Sequence, residues 1–284
     1  GLEVNASAII SSLTVSADTK LNIASGETLS GSTEVAANKT LSLSGTGTLN
    51  SALNLKGTLE AGANLTVSGL ISVAGNSAAV SIPTAGTTLT YSGGDLNVGS
   101  HTLSIGGAGT FSNATGSPLV LDVANSILSL TGNGTISGPV KLESGTLKAS
   151  SGTPTISGTL TQYDNATIEV STNQTLTYSG ASLNLGANEL TLSGGGTFNN
   201  SNALVLNNAD SLLSLAGIGT IGNVKATANA NSSKGLHVSS SAALGQYDVS
   251  AVGYLEIAAS QTLSGQLNLQ SGGVLKTSGD GQYI

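Results

Sequence analysis

The 284-residue chain contains no cysteine, no methionine, no tryptophan and no arginine. Without cysteine there is neither a disulfide nor a thiolate metal site, and the redox compartment leaves no trace in the sequence. Only 8% of residues are charged, and eight lysines stand against 15 acids, for a formal net charge of −7. No basic patch can form to neutralise phosphates, which excludes nucleic acid as a partner. Aromatic residues make up 3% of the chain, and its two phenylalanines, Phe111 and Phe198, are too far apart in sequence to stack on each other, so leucine is expected to fill the core. No apolar run is long enough to span a membrane, and no signal peptide stands in this segment; for a secreted protein the export signals would lie outside it. Helix signals are missing too. Glu and Lys are sparse, and no apolar pattern is sustained at 3.6-residue spacing.

What is present is repetition. A nine-residue phrase occurs at Leu41–Leu49 (LSLSGTGTL), Leu103–Phe111 (LSIGGAGTF), Leu128–Ile136 (LSLTGNGTI), Leu190–Phe198 (LTLSGGGTF) and Leu213–Ile221 (LSLAGIGTI). Long and short steps alternate between the starts: long from Leu41 to Leu103, short to Leu128, long to Leu190, short to Leu213. Turns of roughly 21–25 residues account for both steps, since the long one is close to three of them, and self-similarity at a fixed period is the mark of a solenoid. A longer period of about 87 residues overlies the short one: Leu89-Thr90-Tyr91-Ser92-Gly93 returns as Leu176-Thr177-Tyr178-Ser179-Gly180. A more diverged copy is suggested by Gln162-Tyr163-Asp164 and Gln246-Tyr247-Asp248.

Segments such as Leu53-Asn54-Leu55, Leu65-Thr66-Val67 and Ile168-Glu169-Val170 alternate apolar with polar residues. That is strand periodicity. Gly, Asn, Asp or Ser follows each within a few residues, as tight corners require. Such short strands bury nothing alone, but a parallel coil stacks them about 4.8 Å apart into continuous aliphatic ladders. The expectation is therefore an all-β parallel β-helix, or β-solenoid, of about 13 rungs and about 60 Å in length. It forms a single continuous body over residues 1–284, with a partial unit at 1–40 followed by units at 41–127, 128–212 and 213–284. The competing architecture is a string of immunoglobulin-like sandwiches, whose length is close to the long period. Against it stand the shorter internal repeat and the lack of tryptophan. Neither Gly1-Leu2-Glu3-Val4 nor Gln282-Tyr283-Ile284 reads as a polar cap, so an excised stretch of a longer protein, or a unit stacking end to end, is expected.

Candidates for chemistry are few, and none forms a catalytic, cofactor or metal site. His101 and His237 lie far apart along the chain, each in a polar slot, and read as surface histidines. Asp164 and Asp248 read as turn residues. Gly93-Gly94-Asp95 faintly resembles a calcium nonapeptide, but its counterpart Gly180-Ala181-Ser182 has lost the acid. The Gly-x-Gly pairs precede no helix and no P-loop lysine, which makes them corners. Triplets such as Thr88-Leu89-Thr90, Thr159-Leu160-Thr161 and Thr175-Leu176-Thr177 put hydroxyls on one face, as in ice-binding solenoids, yet their sequence spacing looks too irregular for a flat rank. Asn-x-Ser/Thr sequons, among them Asn64, Asn113 and Asn165, are expected by chance in a chain of this composition.

The phrase LSLSGTGTL in its Gly- and Ser-rich setting resembles the β-strand repeats of bacterial autotransporter passengers and filamentous haemagglutinin-type adhesins. The resemblance implies a right-handed coil, secretion, exposure at the bacterial cell surface, and a role in adhesion, biofilm or surface-layer formation. The expected function is non-catalytic: the rigid shaft of a large surface adhesin. Its partners would be other repeats of the same or a neighbouring chain at the solenoid ends, and a host or abiotic surface or glycan. The alternatives are a subunit of an extracellular filament, sheath or surface layer assembling by strand addition, and an ice- or polysaccharide-binding solenoid.

Overall fold

The computed structural model describes residues 1–278, and every regular element among them is a β-strand. A turn of chain covers three faces, with one strand on each or, as at Thr28–Val35 and Ala242–Val249, one long strand across the second and third. In one rung Thr102–Gly107 lies on the first face, Thr110–Asn113 on the second and Leu119–Leu121 on the third. Ile127–Gly132, Thr135–Ile136 and Val140–Leu142 repeat the circuit one layer on. The first face is one unbroken parallel sheet of 14 strands, from Leu2–Val4 to Val274–Ser278. The chain is a parallel β-solenoid of about 13 turns, with about 21 residues between turns. Among the described residues every pairing between strands is parallel, which rules out antiparallel sandwiches.

Register explains the uneven spacing of the nine-residue phrase. Leu103 pairs with Leu128, and Leu190 with Leu213, so each short step is a single rung. From Leu128 the ladder runs through Leu147 and Ile168 to Leu192, inside the phrase that opens at Leu190. The long step is thus three rungs and the long period four. The rungs vary more than expected. Leu41 already pairs with Leu59, a rung shorter than the roughly 21–25 residues anticipated. Corner length absorbs the variation while strand register is kept, because a one-residue slip would turn every inward side chain to solvent.

The inward positions form a narrow column. Leu41, Leu59, Val80, Leu103, Leu128, Leu147 and Ile168 on the first face are buried to within a few per cent of full enclosure. Burial of a Leu-sized side chain is worth about 1.5–3 kcal/mol, and stacking gives each one neighbours above and below.

Leucine is not alone in the column. Tyr91 stacks on Phe111 of the next rung with ring centroids 6.2 Å apart, and Tyr178 on Phe198 at 6.5 Å. The two phenylalanines do not meet, as expected, but each has a tyrosine partner one rung away. Both tyrosine hydroxyls stay paired: Tyr91 accepts from the Ile71 N–H at 3.4 Å and Tyr178 from the Leu160 N–H at 3.2 Å.

Candidate functional site

The Gly-x-Gly pairs are corners, and their two glycines differ in role. Gly107 has φ +104°, in the left-handed region. Gly109 is needed for space, since a Cβ there would lie 2.2 Å from the Ile82 Cγ2 and 2.6 Å from the Thr87 carbonyl oxygen. Polar corner side chains then clamp one turn to the next. Asn64 Oδ1 accepts from the Thr88 N–H at 2.7 Å, Asn133 Oδ1 from the Thr153 N–H at 2.9 Å, and Asn165 Oδ1 from the Glu189 N–H at 2.6 Å. Of the sequons noted in the sequence, Asn64 and Asn165 are exposed and Asn113 is buried. The Asn113 Nδ2 donates to the carbonyl oxygens of Ser117 and Pro139.

The titratable residues singled out by sequence stay dispersed. His101 sits half-buried at a corner of the first face, and His237 lies in Gly235–Val238 six rungs further on. The His237 Nε2 is 3.6 Å from a Glu256 carboxylate oxygen of the neighbouring rung, with its side chain 24% exposed. Asp95 faces Lys141 at 3.8 Å, and the Lys141 ammonium also lies 6.0 Å from the centre of the Tyr163 ring. No group of three or more His, Cys, Asp or Glu that could hold a metal occurs among the described residues. No helix among them is long and apolar enough to cross a membrane.

The two QYD phrases are not structural equivalents. Asp164 lies in an exposed bend as expected, but Asp248 stands inside the strand Ala242–Val249. Tyr163 is 59% exposed, whereas Tyr247 is 2% exposed and in the core. The phrases sit in opposite phase with the strand alternation, so sequence identity places the same residue on opposite sides of the wall. Burial pushes the Tyr247 hydroxyl far above the ordinary tyrosine range.

The surface shows a strong division of charge. On the first face Lys148 pairs with Glu169 at 2.7 Å, and on the third Lys56 pairs with Glu34 at 3.1 Å. Between Thr28 and Thr220 the outward positions of the second face hold Thr, Ser and Asn without charge, up to the corner at which the long strands Thr28–Val35 and Thr48–Leu55 run on through Ser32 and Ala52 to Glu34 and Asn54 of the third face. Its threonines fall into ranks. Thr28, Thr48, Thr66 and Thr90 stand in register on four consecutive rungs. Thr88, Thr110, Thr135, Thr155 and Thr177 do so on five. The expectation that irregular spacing forbids a rank is therefore corrected. The sequence intervals between these threonines differ only because the corners differ in length, and the strands stay aligned.

No protein-family model, curated protein or solved structure matches the chain. The ranked face and the exposed end rungs are thus the surfaces on which a functional reading rests. At one end Leu2 and Ile9 are exposed, Ile9 at 87%; at the other Leu267, Leu269 and Val274 are exposed. Beside Leu267 an open hollow of about 130 Å³ is lined by Leu244, Tyr247, Leu255, Ile257 and Leu263. The expected lack of a cap at Gln282-Tyr283-Ile284 falls outside the described residues.

Proposed function

We propose that this chain is a non-catalytic structural element of an extracellular protein: the rigid repeat shaft of a large bacterial surface adhesin of the autotransporter-passenger or filamentous-haemagglutinin type. The observation that carries the reading is the 14-strand sheet that runs through every turn of the described residues, an arrangement that favours a stiff rod. Side-chain clamps from rung to rung add to that stiffness, and titratable groups spread along a rod suit reach better than turnover. The phrase repeated at Leu41, Leu103, Leu128, Leu190 and Leu213 supplies the link to such adhesins. Cell-surface exposure follows from the same link.

A second reading is favoured by the exposed apolar side chains of the terminal rungs. Another layer of strands, from the same or a neighbouring chain, would cover Leu2 and Ile9 at one end and Leu267, Leu269 and Val274 at the other. With a neighbouring chain, the protein would itself be a fibre or sheath subunit. Electron microscopy of the purified chain separates the two. Discrete rods about 60 Å long support the shaft; unlimited fibres overturn it in favour of the subunit.

A further inference from the structure

We infer that the second face is a binding surface for a crystalline hydroxyl or water lattice, with ice as the ligand. Up to the corner shared with the third face, every outward strand position on this face from Thr28 to Thr220 carries a short polar side chain without charge. The first and third faces, built from the same repeat, carry ion pairs such as Lys148–Glu169 and Lys56–Glu34. Threonine's preference for strands acts on all three faces alike and does not account for that segregation.

The hydroxyls of the ranks are also unspent. Among the described residues, the Oγ1 atoms of Thr88, Thr110, Thr135, Thr155 and Thr177 make no hydrogen bond within the chain. Some threonine hydroxyls elsewhere are engaged, Thr33 with Ser51 at 2.8 Å and Thr191 with Glu189 at 3.3 Å, while first-face threonines such as Thr58 and Thr146 are free as well, so it is the length of the ranks and their lack of charge that set the second face apart. Each free hydroxyl offers one donor and two acceptor positions. β-Branching restricts χ1, so the methyl and hydroxyl of each threonine are held in few orientations.

Periodicity in two directions decides the ligand class. Along the solenoid the threonines repeat every rung, about 4.8 Å. Across it Ser112 stands two residues beyond Thr110 on the same strand, about 6.6–6.8 Å away, and Ser137, Ser157 and Ser179 follow Thr135, Thr155 and Thr177 at the same sequence interval, just past the ends of their strands. A soluble molecule cannot use a two-dimensional grid of identical weak contacts; a periodic solid can, because the contacts add over its area. Neutrality matches the face to a neutral lattice and removes the attraction that would draw an acidic or basic polymer. Tyr91, Phe111, Tyr178 and Phe198 all point inward, which leaves no aromatic ring on the ranks for a sugar to stack on. Water held between fixed hydroxyls is already ordered, and so joins a lattice at little further entropic cost. The inference stands independently of the shaft reading, since a shaft segment and a fibre subunit both expose this face.

The test uses the whole chain and three measurements: ice-crystal shaping, the gap between melting and freezing points, and retention on microcrystalline cellulose. Thr135→Tyr interrupts the rank at its centre; Thr146→Tyr puts the same bulk on the first face as a control. Circular dichroism and thermal midpoints establish that both variants fold like the parent. The expected result is that parent and Thr146→Tyr shape ice and open a freezing gap, that Thr135→Tyr loses most of both, and that none is retained on cellulose. A parent that leaves ice unshaped, a Thr135→Tyr protein as active as the parent, or retention on cellulose that Thr135→Tyr abolishes would each overturn the inference.

Discussion

Tyr91 lies against Phe111 of the next rung, with ring centroids 6.2 Å apart and planes 26° from parallel, and the pair recurs four rungs on as Tyr178 and Phe198. These four rings are among the bulkiest groups in an otherwise aliphatic column, and they mark the four-rung period. Phe111→Ala is expected to cost about 3–5 kcal/mol, because the neighbouring strands are tied above and below and cannot close the cavity. Phe111→Leu should cost clearly less. Urea denaturation of the two variants checks the order, fitted with more than one transition where the repeat array does not unfold in a single step.

Buried serines mark the same period. The Ser126 Oγ donates to the Gly99 carbonyl at 2.7 Å and accepts from the Val123 N–H at 3.1 Å. Ser211 bonds in the same way to the Gly186 carbonyl and the Asn208 N–H. Replacing either by alanine leaves a carbonyl and an N–H unpaired and is expected to cost about 1–3 kcal/mol. The two sites are four rungs, roughly 19 Å, apart, so their effects should add to within about 0.5 kcal/mol. Denaturation of the two single variants and the double measures both quantities.

Two glycines give a contrast that separates space from backbone conformation. Gly86 has φ +82° and open space around a built Cβ, so Gly86→Ala should cost only the left-handed strain, about 1–2 kcal/mol. At Gly109 a Cβ would strike Ile82 and the Thr87 carbonyl, so Gly109→Ala must push adjacent rungs apart and should destabilise clearly more. Thermal midpoints measured side by side check the ranking.

Much of this architecture was legible in the residues. The recurring leucines gave the coil, because inward positions must be apolar on every turn, and the glycines gave the corners. Two things were not legible, and a third was overlooked. The threonine ranks were hidden because register is set by strand pairing, whereas sequence intervals also count the corner residues between Thr110, Thr135 and Thr155. The opposite facing of Tyr163 and Tyr247 was hidden because identical phrases can stand in opposite phase with the two-residue alternation. The tyrosine–phenylalanine stacks were missed although a signal existed. The interval from Tyr91 to Phe111 is close to one turn of the coil, and the interval from Tyr178 to Phe198 is the same.

The buried tyrosines set a pH dependence. Burial raises Tyr91, Tyr178 and Tyr247 above the ordinary value of 10.0, against which the backbone hydrogen bonds of the first two act only partly. A folded-state value above the unfolded one means that the unfolded chain loses these protons first. Their contribution is therefore complete below about pH 10 and declines as pH rises beyond it. Urea midpoints should be insensitive to these groups up to about pH 9 and fall as pH rises beyond about 10. Tyr247→Phe combined with Tyr91→Phe and Tyr178→Phe should flatten that fall.

The stacking of consecutive turns is tested most directly by spin labels on the second face, which the lack of native cysteine permits. One label is placed at Thr110→Cys and its partner in turn at Thr135→Cys, Thr155→Cys or Thr177→Cys, one, two and three rungs away. Electron paramagnetic resonance should give separations that climb in equal steps of about 4.8 Å per rung. Separations that fail to rise with each rung, as in antiparallel units that close on themselves, would contradict the solenoid.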